Sequence, residues 1–169
     1  MNYKYYEKKV NDVIMKCPIE AGIEVLVYNL LDNIVESEEL SLIEINRLRK
    51  NRDDRLTTDA GIPDIAILSE DFEYKTDIGQ VYGFVEVKAT NVALVETEQI
   101  CGQKAKAAHY IYTNGLEWKY FYDGEYQWGI ILAYFRNDQC KKMDDFQHVS
   151  IDANKFCELI EALQKITWK

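Results

Sequence analysis

The sequence predicts an α/β domain in which a central mixed β-sheet is flanked by helices. Three observations carry that prediction. Residues 62–68 and 81–88 each alternate in strand fashion and are joined by a polar stretch, the pattern of a long hairpin. Ile19, Ile23, Leu26, Val27, Leu30, Leu31 and Ile34 recur at three- and four-residue spacing, which makes one apolar face of a helix. A second helix-like stretch, 95–108, separates the strand run 81–88 from another at 109–112, as a crossover connection would.

In chain order, residues 1–16 hold three tyrosines and four lysines with weak periodicity, and predict a short helix or an arm. Pro18 suits the first turn of the next helix, which runs to about Val35. Glu20 and Glu24 stand one turn apart at the edge of its apolar face. The acidic run 36–39 ends that helix, and residues 40–45 alternate as a first strand. Residues 47–55 follow, with five cationic side chains among the nine. A turn at 57–61 leads into the strand 62–68, and the polar connection 69–79 is longer than a hairpin requires. Gly83, inside the next strand, predicts a close backbone approach or a bulge.

Within 95–108, Gln99, Gln103 and Lys106 fall on one polar face. The strand 109–112 ends at an Asn114-Gly115 turn, and a return strand covers 116–122. Asp123-Gly124 marks a further hairpin, with an apolar strand at 128–135. After an irregular polar stretch, Asp152 can cap a last helix whose face is Phe156, Ile160, Leu163 and Ile166. The core is thus extended at its C-terminal end by a hairpin and a helix. There is no repeat, low-complexity tract or linker, so residues 1–169 are expected to form one domain.

With 47 % hydrophobic and 29 % charged residues, the composition is that of a folded domain. Neither a bilayer-spanning run nor a signal-peptide pattern is present, so a cytoplasmic protein with no membrane partner is expected. Cys17, Cys101, Cys140 and Cys157 form no CxxC pair, which argues against structural zinc. Cys101 and Cys157 fall in helical patterns and are expected to be small buried residues. His109 and His148 have no Ser or Cys partner in a recognisable arrangement and are read as structural. A formal charge of −9 and a pI near 4.8 argue against a broadly basic nucleic-acid surface, although one basic groove stays compatible with them.

Asp64 stands at the start of one strand, while Glu86 and Lys88 share a face of the other because Val85 and Val87 take the core side. If the two strands are neighbours, two carboxylates and an ammonium meet at one edge of the sheet. Such a cluster is costly unless a divalent cation binds between the carboxylates. Hard oxygen donors with no Cys or His beside them favour Mg²⁺ or Mn²⁺ over zinc. The plainer alternative is a salt bridge between adjacent strands, which contributes only about 0–1 kcal/mol. Arg47, Arg49, Lys50, Arg52 and Arg55 lead into the strand of Asp64, and Lys104 and Lys106 add positive charge further on. They are candidates for phosphate contact, against the commoner reading of a solvated loop.

Pro63-Asp64 followed by Glu86-Val87-Lys88 is similar to the signature of the PD-(D/E)xK nuclease superfamily. Downstream, Glu98-Gln99 and Tyr112-Thr113-Asn114-Gly115-Leu116-Glu117-Trp118 resemble the Gln and Thr-Asn-Gly-x-x-Trp segment in the nuclease domain of type I restriction enzyme motor subunits. The match covers residues 61–118, and a helix glutamate would extend it to about residue 19. The resemblance implies a restriction-endonuclease-like core. It also implies that Asp64, Glu86, the main-chain carbonyl of Val87 and Glu20 hold a metal. Lys88 would orient the attacking water or stabilise developing charge, and Gln99 would position the site or the phosphate backbone. Glu24 is the alternative helix carboxylate, and a solvated flank is the bland reading of both. The chain departs from the motor subunits in having no GxxxxGK[ST] loop, so ATP-driven translocation is not expected.

The leading expectation is therefore a Mg²⁺-dependent nuclease acting on DNA, of restriction, defence or mobile-element type. Target choice would come from DNA structure, a homodimer or a partner protein. The acidic surface supports an alternative, a catalytically silent protein of the same fold that binds another protein as an inhibitor or assembly factor. RNA is a weaker candidate, since the twelve tyrosines that could stack on bases sit in strand patterns.

Overall fold

The computed structural model describes residues 1–35, 39–48, 52–134 and 148–169. Arg49 and Lys50 lie outside the described residues, as does most of the polar stretch before the last helix. The elements are α1 (Tyr3–Lys16), α2 (Glu20–Val35), β1 (Leu40–Glu44), β2 (Ile65–Ser69), β3 (Val81–Val87), α3 (Glu98–Lys104), β4 (His109–Thr113), β5 (Glu117–Tyr122), β6 (Glu125–Ile131) and α4 (Ala153–Gln164). Among the described residues the strands form one sheet in the order β1-β2-β3-β4-β5-β6. Every neighbouring pair is antiparallel except β3 and β4, which run parallel because α3 carries the chain back between them. This is a mixed sheet flanked by helices, as expected.

Helices cover both faces of the sheet. Ile65, Ile67, Val85, Val87, Ile111 and Trp118 point to one side, against Tyr6, Val10 and Ile14 of α1, Ile23, Leu30 and Leu31 of α2 and Phe156 and Leu163 of α4. Ala66, Leu68, Phe84, Tyr110, Tyr112 and Phe121 point to the other, against Ile100 of α3. The period-two alternation of β2 and β3 thus sorts two apolar sets onto two faces.

Several boundaries shift for identifiable reasons. Residues 3–16 are a full helix, capped by the Asn2 side chain and buried at Tyr6, Val10 and Ile14, four residues apart. Pro18 precedes α2 instead of lying in its first turn, and Ile19 is exposed. Helix α3 is shorter than 95–108 because Thr97 caps it at Ile100 N–H and the chain leaves helical geometry after Lys104. Lys106 therefore lies beyond the helix. Strand β6 begins at Glu125, not at 128, because Asp123 (φ 47°) and Gly124 (φ 79°) close a two-residue turn that pairs Tyr122 directly with Glu125. Its first positions are exposed polar residues of a sheet edge, which an apolar run does not reveal.

Gly83 combines both expected features. A Cβ there would come within 2.9 Å of the His109 carbonyl oxygen, and the β2–β3 register slips opposite it. Asp152 caps α4 as expected, its carboxylate accepting from Asn154 and Lys155 N–H. Leu159 joins the buried face alongside Phe156 and Leu163. Cys101 and Cys157 are exposed, contrary to expectation. Each sits one position along its helix from the buried Ile100 or Phe156, and a step of about 100° turns it to solvent. His109 is buried and its Nδ1 lies 2.7 Å from the Tyr120 hydroxyl, whereas His148 is exposed.

Candidate active site

Antiparallel pairing sets Ile65 opposite Val85, and the Asp64 N–H donates to the Val85 carbonyl at 3.1 Å. Asp64 and Glu86 therefore emerge side by side at one end of β2 and β3. With Val87 held in the core, Glu86 and Lys88 project on the face covered by α3. Asp64 Oδ2 accepts the Val87 main-chain N–H at 2.6 Å, so the aspartate is locked against the neighbouring strand. Lys88 Nζ donates to Glu86 Oε1 at 2.5 Å, and Gln99 Nε2 reaches the same oxygen from α3 at 3.2 Å. Glu86 is only 2 % exposed, and its second oxygen, Oε2, is buried without a hydrogen-bond partner.

Burial is the main cause of the electrostatic strain at this spot. Desolvation first, and the Glu86 carboxylate second, push the Asp64 pKa up to about 7, although the Val87 N–H opposes them. Glu86 is raised by burial as well, with Lys88 working against the shift. For Lys88 burial alone would lower the pKa, but the hydrogen bond and charge of Glu86 outweigh it and the net shift is upward. The amine is held as an ammonium.

Helix α2 sends two carboxylates toward the cluster. Glu20 is exposed and its charge is felt by Glu86 and Lys88. Glu24 is buried, accepts Asn46 Nδ2 at 2.8 Å and is felt by Asp64. Desolvation, with Glu44 second, raises the Glu24 pKa. Among the described residues no three His, Cys, Asp or Glu side chains come together closely enough to hold one ion. Glu20 is thus not drawn into a three-carboxylate set with Asp64 and Glu86, because it stands on the exposed side of the first turn of α2.

The two strand carboxylates do fit a hard cation. A buried carboxylate oxygen without a partner is costly, and an oxygen-seeking divalent ion beside Asp64 would satisfy it. The main chain of Val87 is within the same cluster, through its N–H on Asp64.

The basic residues separate into two groups. Arg55 is committed to the fold: its guanidinium pairs with Asp53 at 2.7 Å, donates to the carbonyls of Glu73, Ile78 and Gly79, and lies over the Phe72 ring. In this structure its donors are taken up within the fold, where it fastens the connection between β2 and β3. Lys104 is likewise engaged, with Glu96 at 2.6 Å and over the Phe121 ring. Arg47, Arg52 and Lys106 are exposed, and Arg47 stands 3.7 Å from Glu44.

The sequence reading missed Asn46 as the partner of Glu24 and Tyr110 as the partner of Gln103, at 2.6 Å. An Asn after a strand and a Tyr within one carry no local signal of such contacts. Asp53 was likewise hidden inside a charge run.

No family model and no curated protein matches the chain. Among solved structures it is similar to a chain of the DrdV–DNA complex determined by cryo-EM, with a TM-score of 0.58 and 17 % identity, over 96 % of this chain and 13 % of that one. At that identity the likeness is one of fold, and the fold is restriction-endonuclease-like. The chain spans about 13 % of the length of that neighbour.

Proposed function

We propose that the protein is a metal-dependent nuclease that hydrolyses phosphodiester bonds in DNA. One observation carries this reading: a buried, partly unsatisfied Glu86 beside a buried Asp64 and an ammonium, at the end of two paired strands. A bare salt bridge would explain Lys88 and one oxygen of Glu86. It would leave Asp64 buried beside a second carboxylate, which the Val87 N–H offsets only in part.

Mg²⁺ or Mn²⁺ held by Asp64 and Glu86, with the Val87 carbonyl as a further donor, would supply charge neutralisation on the phosphoryl oxygens and a nucleophilic water near neutral pH. Lys88, kept protonated by Glu86, presents a positive charge where negative charge develops in the transition state. Gln99 holds the Glu86 carboxylate from the α3 side and fixes its rotamer. Arg47, Arg52 and Lys106 are exposed cations available for phosphates, and Arg49 and Lys50 belong to the same basic run. DNA as substrate is supported by the fold and by the DNA-bound state of the structural neighbour.

The formal charge of −9 favours a second reading, an acidic protein that binds another protein and cleaves nothing. One assay separates the two. Purified protein is incubated with linear, supercoiled and branched DNA in Mg²⁺ or Mn²⁺, with EDTA as control. Metal-dependent cleavage that Asp64→Ala, Glu86→Ala and Lys88→Ala each reduce by at least about 100-fold fits the nuclease. Cleavage that survives all three changes, or no cleavage and no DNA binding by the folded protein, removes it.

A further inference from the structure

Behind Glu86 lies a second polar pair that the chemistry above does not use. Gln103 is fully buried on α3, near enough to the Glu86 carboxylate to lower that group's pKa. Its Oε1 accepts the Tyr110 hydroxyl at 2.6 Å, while its Nε2 has no hydrogen-bond partner. Glu86 Oε2 is the complementary orphan, a buried acceptor without a donor. A buried amide can present either end to a neighbour, and here the network decides which. Tyr110 occupies the oxygen end, so the N–H end is the one directed at Glu86. With the amide reversed, two oxygens would face each other in a buried space, at the cost of an unpaired acceptor.

We propose that Tyr110 and Gln103 act as one positioning relay for Glu86: the β4 hydroxyl sets the amide orientation, and the amide N–H, unbonded in this structure, is the donor that steers Oε2 when a cation binds. The proposal rests on the reading of Asp64 and Glu86 as a cation site. A carboxylate oxygen has two lone pairs, so Oε2 can accept Gln103 and still face an ion. Groups behind a metal-binding carboxylate orient it in this way, and their loss commonly lowers affinity 10–100-fold. Sequence and structure divide the work between two elements. Gln103 comes from the last turn of α3 and Tyr110 from the strand that α3 delivers next to β3.

The test is Mn²⁺ binding to the full chain without DNA, followed by titration calorimetry. The set comprises the unaltered protein, Tyr110→Phe, Gln103→Met and the double variant, with Glu86→Ala as the non-binding control. Phe keeps the ring, and Met keeps the length and flexibility of Gln, so each variant is expected to fold, with Tm lowered in the single variants because each leaves one buried partner unpaired. The expected result is about 10-fold weaker binding in each single variant and no further loss in the double, because both changes break one chain of contacts. Parent-like affinity in folded Tyr110→Phe and Gln103→Met overturns the relay and leaves the nuclease reading standing. Losses that multiply in the double variant also overturn it, since they mean independent effects. If the folded parent binds no Mn²⁺, the cation site itself falls and takes the relay with it.

Discussion

At the scale of single residues, the site is a compromise between burial and charge. Asp64 is raised to about 7 by desolvation and by Glu86, far above the range of a carboxylate in an unfolded chain. Between about pH 4 and pH 7 the folded state therefore holds a proton that the unfolded state has lost, and metal-free stability falls as the pH rises through that window. Asp64→Asn removes the ionisation while its side-chain oxygen can still accept the Val87 N–H. Urea unfolding in EDTA is expected to show the variant close to the parent near pH 4 and more stable by a growing margin up to pH 8. The variant should also be inactive. Equal stability at both pH values would contradict the electrostatic account of the pair.

At the scale of elements, Asp53 and Arg55 determine how β2 is joined to β3. The Asp53 carboxylate accepts from the Arg55 guanidinium and from the Lys75 N–H, which hold its pKa well below the usual range. A carboxylate depressed in this way contributes stability above its unfolded pKa of about 4, and that contribution is lost as the pH falls below it. Arg55 spans the connection by reaching the carbonyls of Glu73, Ile78 and Gly79. Lys cannot reproduce a planar fork of donors. Arg55→Lys is therefore expected to lower Tm by at least about 4 °C and to open residues 69–80 to limited proteolysis, with DNA affinity unchanged. A loss of DNA affinity at parental Tm would restore Arg55 to the phosphate contacts.

At the scale of the whole molecule, the first helix ties the two ends of the chain together. Asn11 Nδ2 donates to the Val149 carbonyl at 2.9 Å, and the Val149 N–H returns to Asn11 Oδ1 at 2.8 Å. Glu7 accepts the Ile151 N–H at 2.7 Å, which seats the segment leading into α4. The Tyr6 hydroxyl donates to the Gly115 carbonyl at 2.8 Å, joining α1 to the β4–β5 turn. Asn11→Ala would leave both main-chain groups of Val149 unpaired in a buried place. A loss of about 2–4 kcal/mol is expected by urea denaturation, with far-ultraviolet circular dichroism unchanged. A loss below about 0.5 kcal/mol would show that water replaces the side chain.

Patterns that depend on neighbours along the chain were legible before any coordinates. The face of α2, the alternation of β2 and β3, the turn at Asp123-Gly124 and the cap at Asp152 all follow from periodicity and local backbone preference. So did the placement of Asp64, Glu86 and Lys88 at one sheet edge, because strand alternation and a hairpin leave few other arrangements. Contacts across the fold were not legible. Arg55 reads as a free cation in the sequence, and only the folded loop offers it three carbonyls and a carboxylate. Gln103 and Tyr110 meet because α3 packs over β4, and Glu24 is buried because β1 ends beside α2. A sequence carries its local geometry in every few residues, since the side-chain period is built into the backbone. Which polar group loses its water, and which distant partner replaces that water, is decided only when the helices close over the sheet.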